Sequence, residues 1–284
     1  MRVQILGTGS YLPERVLTNA DLEKMVDTTD EWIFSRSGIR ERRIAGPEMA
    51  TSDMALPAAR AALEQAGVAA TDLDLIVVGT VTPDMPFPST ACILQDRLGA
   101  VNAAAFDLSA GCTGFLYGLA VAERFLRGPE CRYALVVGAE MPSRILDFTD
   151  RTTCVLFGDG AGAAVLGRGG GANGILATYM AADGSGAMYL YQPAGGTRLP
   201  ASTETVAQRL HSVRMLGNDV FKFAVKTVPE CAERVLAQAG MTVDQVDHVA
   251  LHQANIRILQ AAVKRLGVPW EKVLTNIERY GNIS

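Results

Sequence analysis

Two stretches of this chain repeat one another, and that duplication restricts the possible architectures more than any other feature. Leu63-Glu-Gln-Ala-Gly67 matches Leu236-Ala-Gln-Ala-Gly240, and Leu73-Asp74 falls on Val246-Asp247, all at an offset of 173 residues. After a short loop difference, Arg97-Leu98-Gly99 matches Arg265-Leu266-Gly267. Repetition at so long a period means that one supersecondary unit is used twice. Leu75–Val78, Ala103–Leu108, Tyr133–Val137 and Ala163–Leu166 are short apolar runs that predict strands. Asp53–Ala66 and Val228–Ala239 carry helical composition and each ends at an Ala-Gly pair suited to a C-cap. Strand and helix alternate, so the fold class is α/β.

The glycine-rich stretch Arg168–Asn173 suits a join better than a core element, which divides the chain into halves of residues 1–170 and 171–284. Following the match further sets Gly111-Cys112 against Gly281-Asn282. A pseudo-twofold relation between the halves would bring both residues to one central site. The first half runs on past Cys112 for about fifty residues of helix and strand, whereas the second stops at Ser284. The repeat therefore predicts that the chain lacks its C-terminal end.

Composition excludes several classes of function. With 49% hydrophobic and 20% charged residues the chain can bury a large core. No apolar run approaches the ~20 residues of a membrane span, and the N-terminus lacks the apolar core of a signal peptide, so a cytoplasmic protein with no membrane partner is expected. A net charge of -4 argues against nucleic acid as a partner and leaves room for a local basic patch. The five cysteines are odd in number and scattered, which predicts neither a disulfide framework nor a metal site.

Three motifs carry chemistry. Ser109-Ala-Gly-Cys-Thr-Gly-Phe115 follows a predicted strand and precedes a helical segment through Arg127. A cysteine on such a turn has its sulfur near the positive end of a helix, which favours thiolate and makes Cys112 a candidate nucleophile. Cys92, Cys131, Cys154 and Cys231 lack this glycine flanking and read as small buried hydrophobes. In Val249-Ala-Leu-His-Gln-Ala-Asn-Ile-Arg257 an apolar strand delivers His252 to its C-terminal end, where open α/β sheets present catalytic side chains. His211 and His248 have no such placement. Tyr280-Gly-Asn-Ile-Ser284 would be an ordinary turn but for its match to Gly111-Cys112. A thiolate, an imidazole and an amide in one pocket can form an acyl thioester and then hydrogen-bond a thioester enolate.

The combination of Ala-Gly-Cys-Thr-Gly, His-Gln-Ala-Asn-x-Arg and Tyr-Gly-Asn resembles β-ketoacyl-acyl-carrier-protein synthase III, a condensing enzyme of the thiolase superfamily. The likeness extends to Gly7-Thr-Gly-Ser-Tyr-Leu-Pro13, Thr29-Asp-Glu-Trp-Ile33, Ser37-Gly-Ile-Arg-Glu-Arg42 and Phe157-Gly-Asp-Gly-Ala-Gly162. Elongating ketoacyl synthases differ in carrying a second His where this chain has Asn282. Gly7-Thr-Gly9 lacks the third glycine of a dinucleotide loop, and Gly158–Gly162 lacks the Lys-Ser/Thr of a phosphate loop.

The resemblance implies a thiolase-like duplicated α/β unit layered α-β-α-β-α. It implies that Cys112 takes an acyl group, acetyl being expected, from acyl-CoA. His252 and Asn282 then stabilise the enolate formed from malonyl-acyl-carrier protein. Decarboxylation supplies the nucleophile, so no metal or organic cofactor is implied. By the same likeness Trp32, Arg36, Arg151, Asn218, Phe221 and Asn255 bind CoA, and Gln253, Arg257, Lys222, Lys264 and Arg265 face the carrier protein. Phe87 would close the acyl pocket, often across a homodimer interface. The family's second oxyanion donor lies in a C-terminal glycine-rich loop that this chain does not contain, so a chain of these 284 residues is expected to be inactive or not independently stable. Two alternatives are a polyketide-, quinolone- or ketone-forming relative and a non-catalytic acyl-CoA or carrier-protein binding module.

Overall fold

The computed structural model describes residues 2–171 and 173–284. Met1 and Ala172, the latter inside the stretch predicted as the join, lie outside the described residues. The first half is built on one five-stranded mixed sheet of β1 (Arg2–Tyr11), β2 (Leu75–Gly79), β3 (Ala104–Leu108), β4 (Tyr133–Glu140) and β5 (Gly160–Gly169). The spatial order is β1-β5-β4-β2-β3, with β2 parallel to both neighbours and β5 antiparallel to both of its own. The helices that matter for the site are α1 (Asp30–Ser37), α2 (Thr51–Ala66), α3 (Thr90–Leu98), α4 (Gly114–Arg127), α5 (Gly217–Ala239) and α6 (Ile256–Leu266).

Alternation along the strands assigns each face of the sheet its own helices. Ile76, Val78, Leu135 and Val137 pack with Met54, Ala58, Ala62 and Leu63 of α2 and Leu94 of α3. Leu75, Val77, Ala134 and Val136 pack on the other face with Ala122 and Leu126 of α4. All five residues of β2 are buried, as a central parallel strand covered on both faces must be. This pattern is why the sequence reads as a continuous apolar run there.

The duplication is visible element by element. α2 ends at Gly67, followed by a 3-10 turn at 70–72, β2, and α3 ending at Gly99. α5 ends at Gly240, followed by a 3-10 turn at 243–245, the residues around Val249, and α6 ending at Gly267. The parallel bridge between Val249 and Val273 falls on the positions that the repeat aligns with Ile76 and Ala105, which are themselves parallel partners. Among the described residues the second half carries this bridge and a short Leu190–Tyr191/Arg214–Met215 pair, without an extended ladder.

Two sequence expectations need adjusting, and one strand is added. β1, which the sequence reading does not name, lies at the sheet edge, its apolar pattern broken by Gly7 and Gly9 where the strand touches α2. β5 runs from Gly160 to Gly169, well beyond its apolar centre, because pairing with both β1 and β4 extends it. α5 begins at Gly217, eleven residues before the predicted start at Val228, and passes through Pro229.

Candidate active site

Cys112 sits in a single 3-10 turn, Gly111–Thr113, wedged between β3 and α4. Gly111 takes φ +53, a left-handed conformation open to glycine and costly to most other residues, and this sharp turn places the sulfur at the start of α4. The position is the predicted one, but the electrostatics are not. Burial pushes the Cys112 thiol above its ordinary value; the hydroxyl of Ser284 pulls it back and the charge of Glu140 adds to the rise. The helix end alone therefore does not decide the thiol's ionisation: losing water around the sulfur acts in the opposite direction.

Asn282 approaches Cys112 from the second half. Its backbone N–H donates to the Leu156 carbonyl at 2.9 Å and its carbonyl accepts from Gly158 N–H at 3.0 Å, forming a parallel bridge beside Phe157. Its side-chain Oδ1 accepts from Ser284 N–H at 2.8 Å, which leaves the amide N–H groups available to a ligand. The Ser284 hydroxyl in turn reaches Cys112 Sγ at 3.8 Å. Two residues 172 positions apart thus share one site, and Ser284 is a participant that sequence reasoning missed.

His252 follows the Val249–Leu251 segment, whose backbone is fixed by Val249 N–H to the Lys272 carbonyl and Leu274 N–H to the Val249 carbonyl, each 2.9 Å. Gln253, predicted to face the carrier protein, also braces this turn. Its amide donates to the Leu251 carbonyl at 2.9 Å and the Leu274 carbonyl at 3.2 Å, and accepts from Asn276 N–H at 3.0 Å. Protein atoms crowding the imidazole hold His252 down at about 4, although the residue keeps solvent access, which limits the size of that shift. The direction makes it a neutral hydrogen-bond donor at neutral pH.

The residues predicted for CoA split into two groups. Trp32 lies with the Arg36 guanidinium 4.8 Å and the Arg151 guanidinium 5.2 Å from its ring centroid, within cation–π range. Arg151 also donates to the Asp27 carbonyl at 2.9 Å. Asn255 caps α6 by accepting from Arg257 N–H at 2.8 Å and donates to the Arg36 carbonyl at 2.9 Å, so it ties α6 to α1. Asn218 and Phe221 come from another element, near the start of α5, Asn218 exposed and Phe221 half-buried.

Arg257 places its guanidinium 5.8 Å from the Phe221 ring. Arg257, Lys264 and Lys222 are exposed, and Arg265 is within 3.8 Å of Glu230. A cleft of about 460 Å³ lined by residues including Phe34, Gly38, Ile256, Arg257 and Asn276 opens beside them and includes none of Cys112, His252 and Asn282. Phe87 is 87% exposed and so does not cover its own chain's pocket.

Comparison with known proteins identifies the family. The family profile of 3-oxoacyl-acyl-carrier-protein synthase III matches residues 106–184, and that of its C-terminal part matches residues 236–284. The chain is 58% identical over 284 residues to the β-ketoacyl-acyl-carrier-protein synthase III of Syntrophomonas wolfei, covering all of this chain and 86% of that protein. It is 59% identical over 280 residues to the synthase III of Caldanaerobacter subterraneus, covering 99% of this chain and 85% of that one. The crystal structure of 3-oxoacyl-acyl-carrier-protein synthase III from Aquifex aeolicus superposes with a TM-score of 0.91 at 46% identity, covering 99% of this chain and 86% of that one. By these likenesses, the chain belongs to the 3-oxoacyl-acyl-carrier-protein synthase III family of condensing enzymes.

Proposed function

We propose that Cys112 is the acyl-accepting nucleophile of this condensing enzyme, with His252 and Asn282 as enolate-stabilising donors. The protein is an acyltransferase that initiates fatty-acid synthesis, as its family membership establishes. The observation that carries the residue assignment is the chain of contacts from Cys112 Sγ through Ser284 to the Asn282 amide.

In the first half-reaction Cys112 sulfur attacks the acyl-CoA carbonyl. The backbone N–H of Cys112 donates to the oxyanion, the acyl C–S bond to CoA breaks, and CoA leaves as its thiol with the proton that the Cys112 sulfur gives up. Malonyl-acyl-carrier protein then loses carbon dioxide, and the electron pair of the broken bond becomes an enolate. Neutral His252 and the Asn282 amide hydrogen-bond the enolate oxygen. Its carbon attacks the Cys112 thioester, the β-ketoacyl product forms, and the thiolate is released. This sequence requires no metal or organic cofactor. Trp32, Arg36 and Arg151 would hold the CoA nucleotide, with Asn218, Phe221 and Asn255 along the pantetheine path.

Two halves, residues 1–170 and 171–284, are our reading of the duplication. The exposure of Phe87 supports a homodimer in which it closes the partner's acyl pocket. Among the described residues no helix is long and apolar enough to cross a membrane, and we place the enzyme in the cytoplasm.

Incubation with acetyl-CoA followed by intact mass measurement and peptide mapping tests the assignment. An acetyl group on the Cys112 peptide is expected; an adduct confined to another cysteine, or CoA held without transfer, would sink it. Discharge of that adduct by malonyl-acyl-carrier protein would overturn the sequence-based expectation of inactivity. The carrier-protein face makes a separate prediction. Arg257→Ala should weaken use of malonyl-acyl-carrier protein about tenfold, the scale of one lost charge-assisted contact, while Cys112 acetylation continues at its original rate. Equal loss of both half-reactions would remove Arg257 from the docking face.

A further inference from the structure

We propose that Arg42 is a positioning residue of the condensation step: its buried guanidinium holds the segment 155–158, to which the Asn282 backbone is bonded. The side chain is fully buried. Nη2 donates to the Val155 carbonyl at 2.7 Å, and Nη1 donates to Asn19 Oδ1 at 2.8 Å and to the Leu17 carbonyl at 3.2 Å. The next carbonyl after Val155, that of Leu156, accepts from Asn282 N–H at 2.9 Å, and Gly158 N–H returns a bond to the Asn282 carbonyl at 3.0 Å. The stem makes a second contact. A Cβ placed on Gly158 would stand 2.9 Å from the Arg42 Cβ and one placed on Gly281 would stand 3.3 Å from it, so both sides of the Phe157–Asn282 bridge lie against this one side chain.

A cation in such a place is costly to bury. Burial pulls the guanidinium down to about 10, so it stays charged at neutral pH, yet its hydrogen-bond partners are three neutral oxygens and Nε has none among the described residues. What the fold uses is the planar fork: its two terminal nitrogens reach oxygens on two distant chain segments at once, which the single nitrogen of a lysine cannot do. The far end of the fork is itself fixed, because Asn19 donates to the Ile39 carbonyl and to Asp30, each at 2.8 Å. The residues assigned to CoA have supports of their own. Thr29 caps α1 by accepting from Trp32 N–H at 3.1 Å, Asn255 donates to the Arg36 carbonyl, and Arg151 donates to the Asp27 carbonyl. Loosening Arg42 should therefore reach Asn282 and spare acylation.

The inference rests on Asn282 acting in condensation. Arg42→Lys keeps the stem and the charge, Arg42→Met keeps a long stem without donors, and each is made alone and together with Asn282→Ala. Cys112 acetylation should stay within about twofold, while discharge by malonyl-acyl-carrier protein slows about ten- to a hundredfold in Arg42→Met and less in Arg42→Lys, the scale of a reacting group displaced by about 1 Å. On the Asn282→Ala background neither Arg42 change should slow discharge further. Equal slowing on both backgrounds would overturn the positioning role, whereas an Asn282→Ala protein that discharges normally would remove the assignment of Asn282 and the proposal with it. Amide hydrogen exchange reads the same point without turnover. Peptides covering 155–158 and 280–284 should exchange faster in Arg42→Lys, while those covering α1 and β2 keep their rates. Unchanged exchange at 280–284 would overturn the proposal. So would faster exchange throughout the first half, or an Arg42→Lys protein that does not fold, because Arg42 would then serve the core at large.

Discussion

Replacing Asn282 with Ala should leave acetylation of Cys112 intact and slow the discharge of that acetyl group by malonyl-acyl-carrier protein about 10²–10³-fold, the cost of one preorganised donor to a developing oxyanion. The two half-reactions separate because Asn282 offers nothing to the attack on acyl-CoA beyond packing, whereas its amide N–H groups, freed by the Oδ1 bond to Ser284, would face the enolate. His252→Ala should behave alike. A neutral imidazole, the form that the downward shift of His252 favours at neutral pH, donates one hydrogen bond and carries no charge to attract CoA. The measurement is a two-step mass experiment: label with acetyl-CoA, add malonyl-acyl-carrier protein, and follow the disappearance of the adduct. Loss of labelling in the first step by either variant would mean that these residues serve acylation instead.

The positions of these three residues were legible in the sequence for different reasons. Cys112 stands out because glycine flanking between an apolar strand and a helix sets it apart from the other four cysteines. Asn282 stood out through the duplication alone, since Gly-Asn is otherwise a common turn. β2 could be read because both its faces are buried, giving an unbroken apolar run. The start of α5 could not: its first turns bury no residue fully, so no apolar stripe marks them in the sequence. Ser284 was invisible for a different reason. Its place in the site is fixed by a partner far away in the chain, Cys112, and nothing in its own sequence neighbourhood reports it. The raised thiol of Cys112 has the same origin, because helix position is a local property and burial is not.

Gly281→Ala should unfold earlier and mimic the Asn282 defect. Gly281 adopts φ +65 and ψ -158, a region that is essentially closed to residues with a side chain. An added Cβ would lie 2.9 Å from the Leu156 carbonyl oxygen and 3.3 Å from the Arg42 Cβ. Neither neighbour can yield. The Leu156 carbonyl is the acceptor for Asn282 N–H, and Arg42 is fully buried, donating to the Leu17 carbonyl, the Asn19 side chain and the Val155 carbonyl. Backbone strain and the clash together should cost about 2–4 kcal/mol, lowering the melting temperature on the order of 5–10 °C. The carbonyl forced aside is the one that holds Asn282, so in the fraction that remains folded Cys112 should still be acetylated and its discharge slowed. A Gly281→Ala protein with unchanged melting and normal discharge would mean that this turn relaxes freely and that the bridge at Leu156–Gly158 does not hold the amide in place. The repeat-related Gly111, also left-handed but with nothing within 4 Å of an added Cβ, provides the contrast. There the penalty is backbone strain alone, so Gly111→Ala should melt closer to the unaltered protein than Gly281→Ala does.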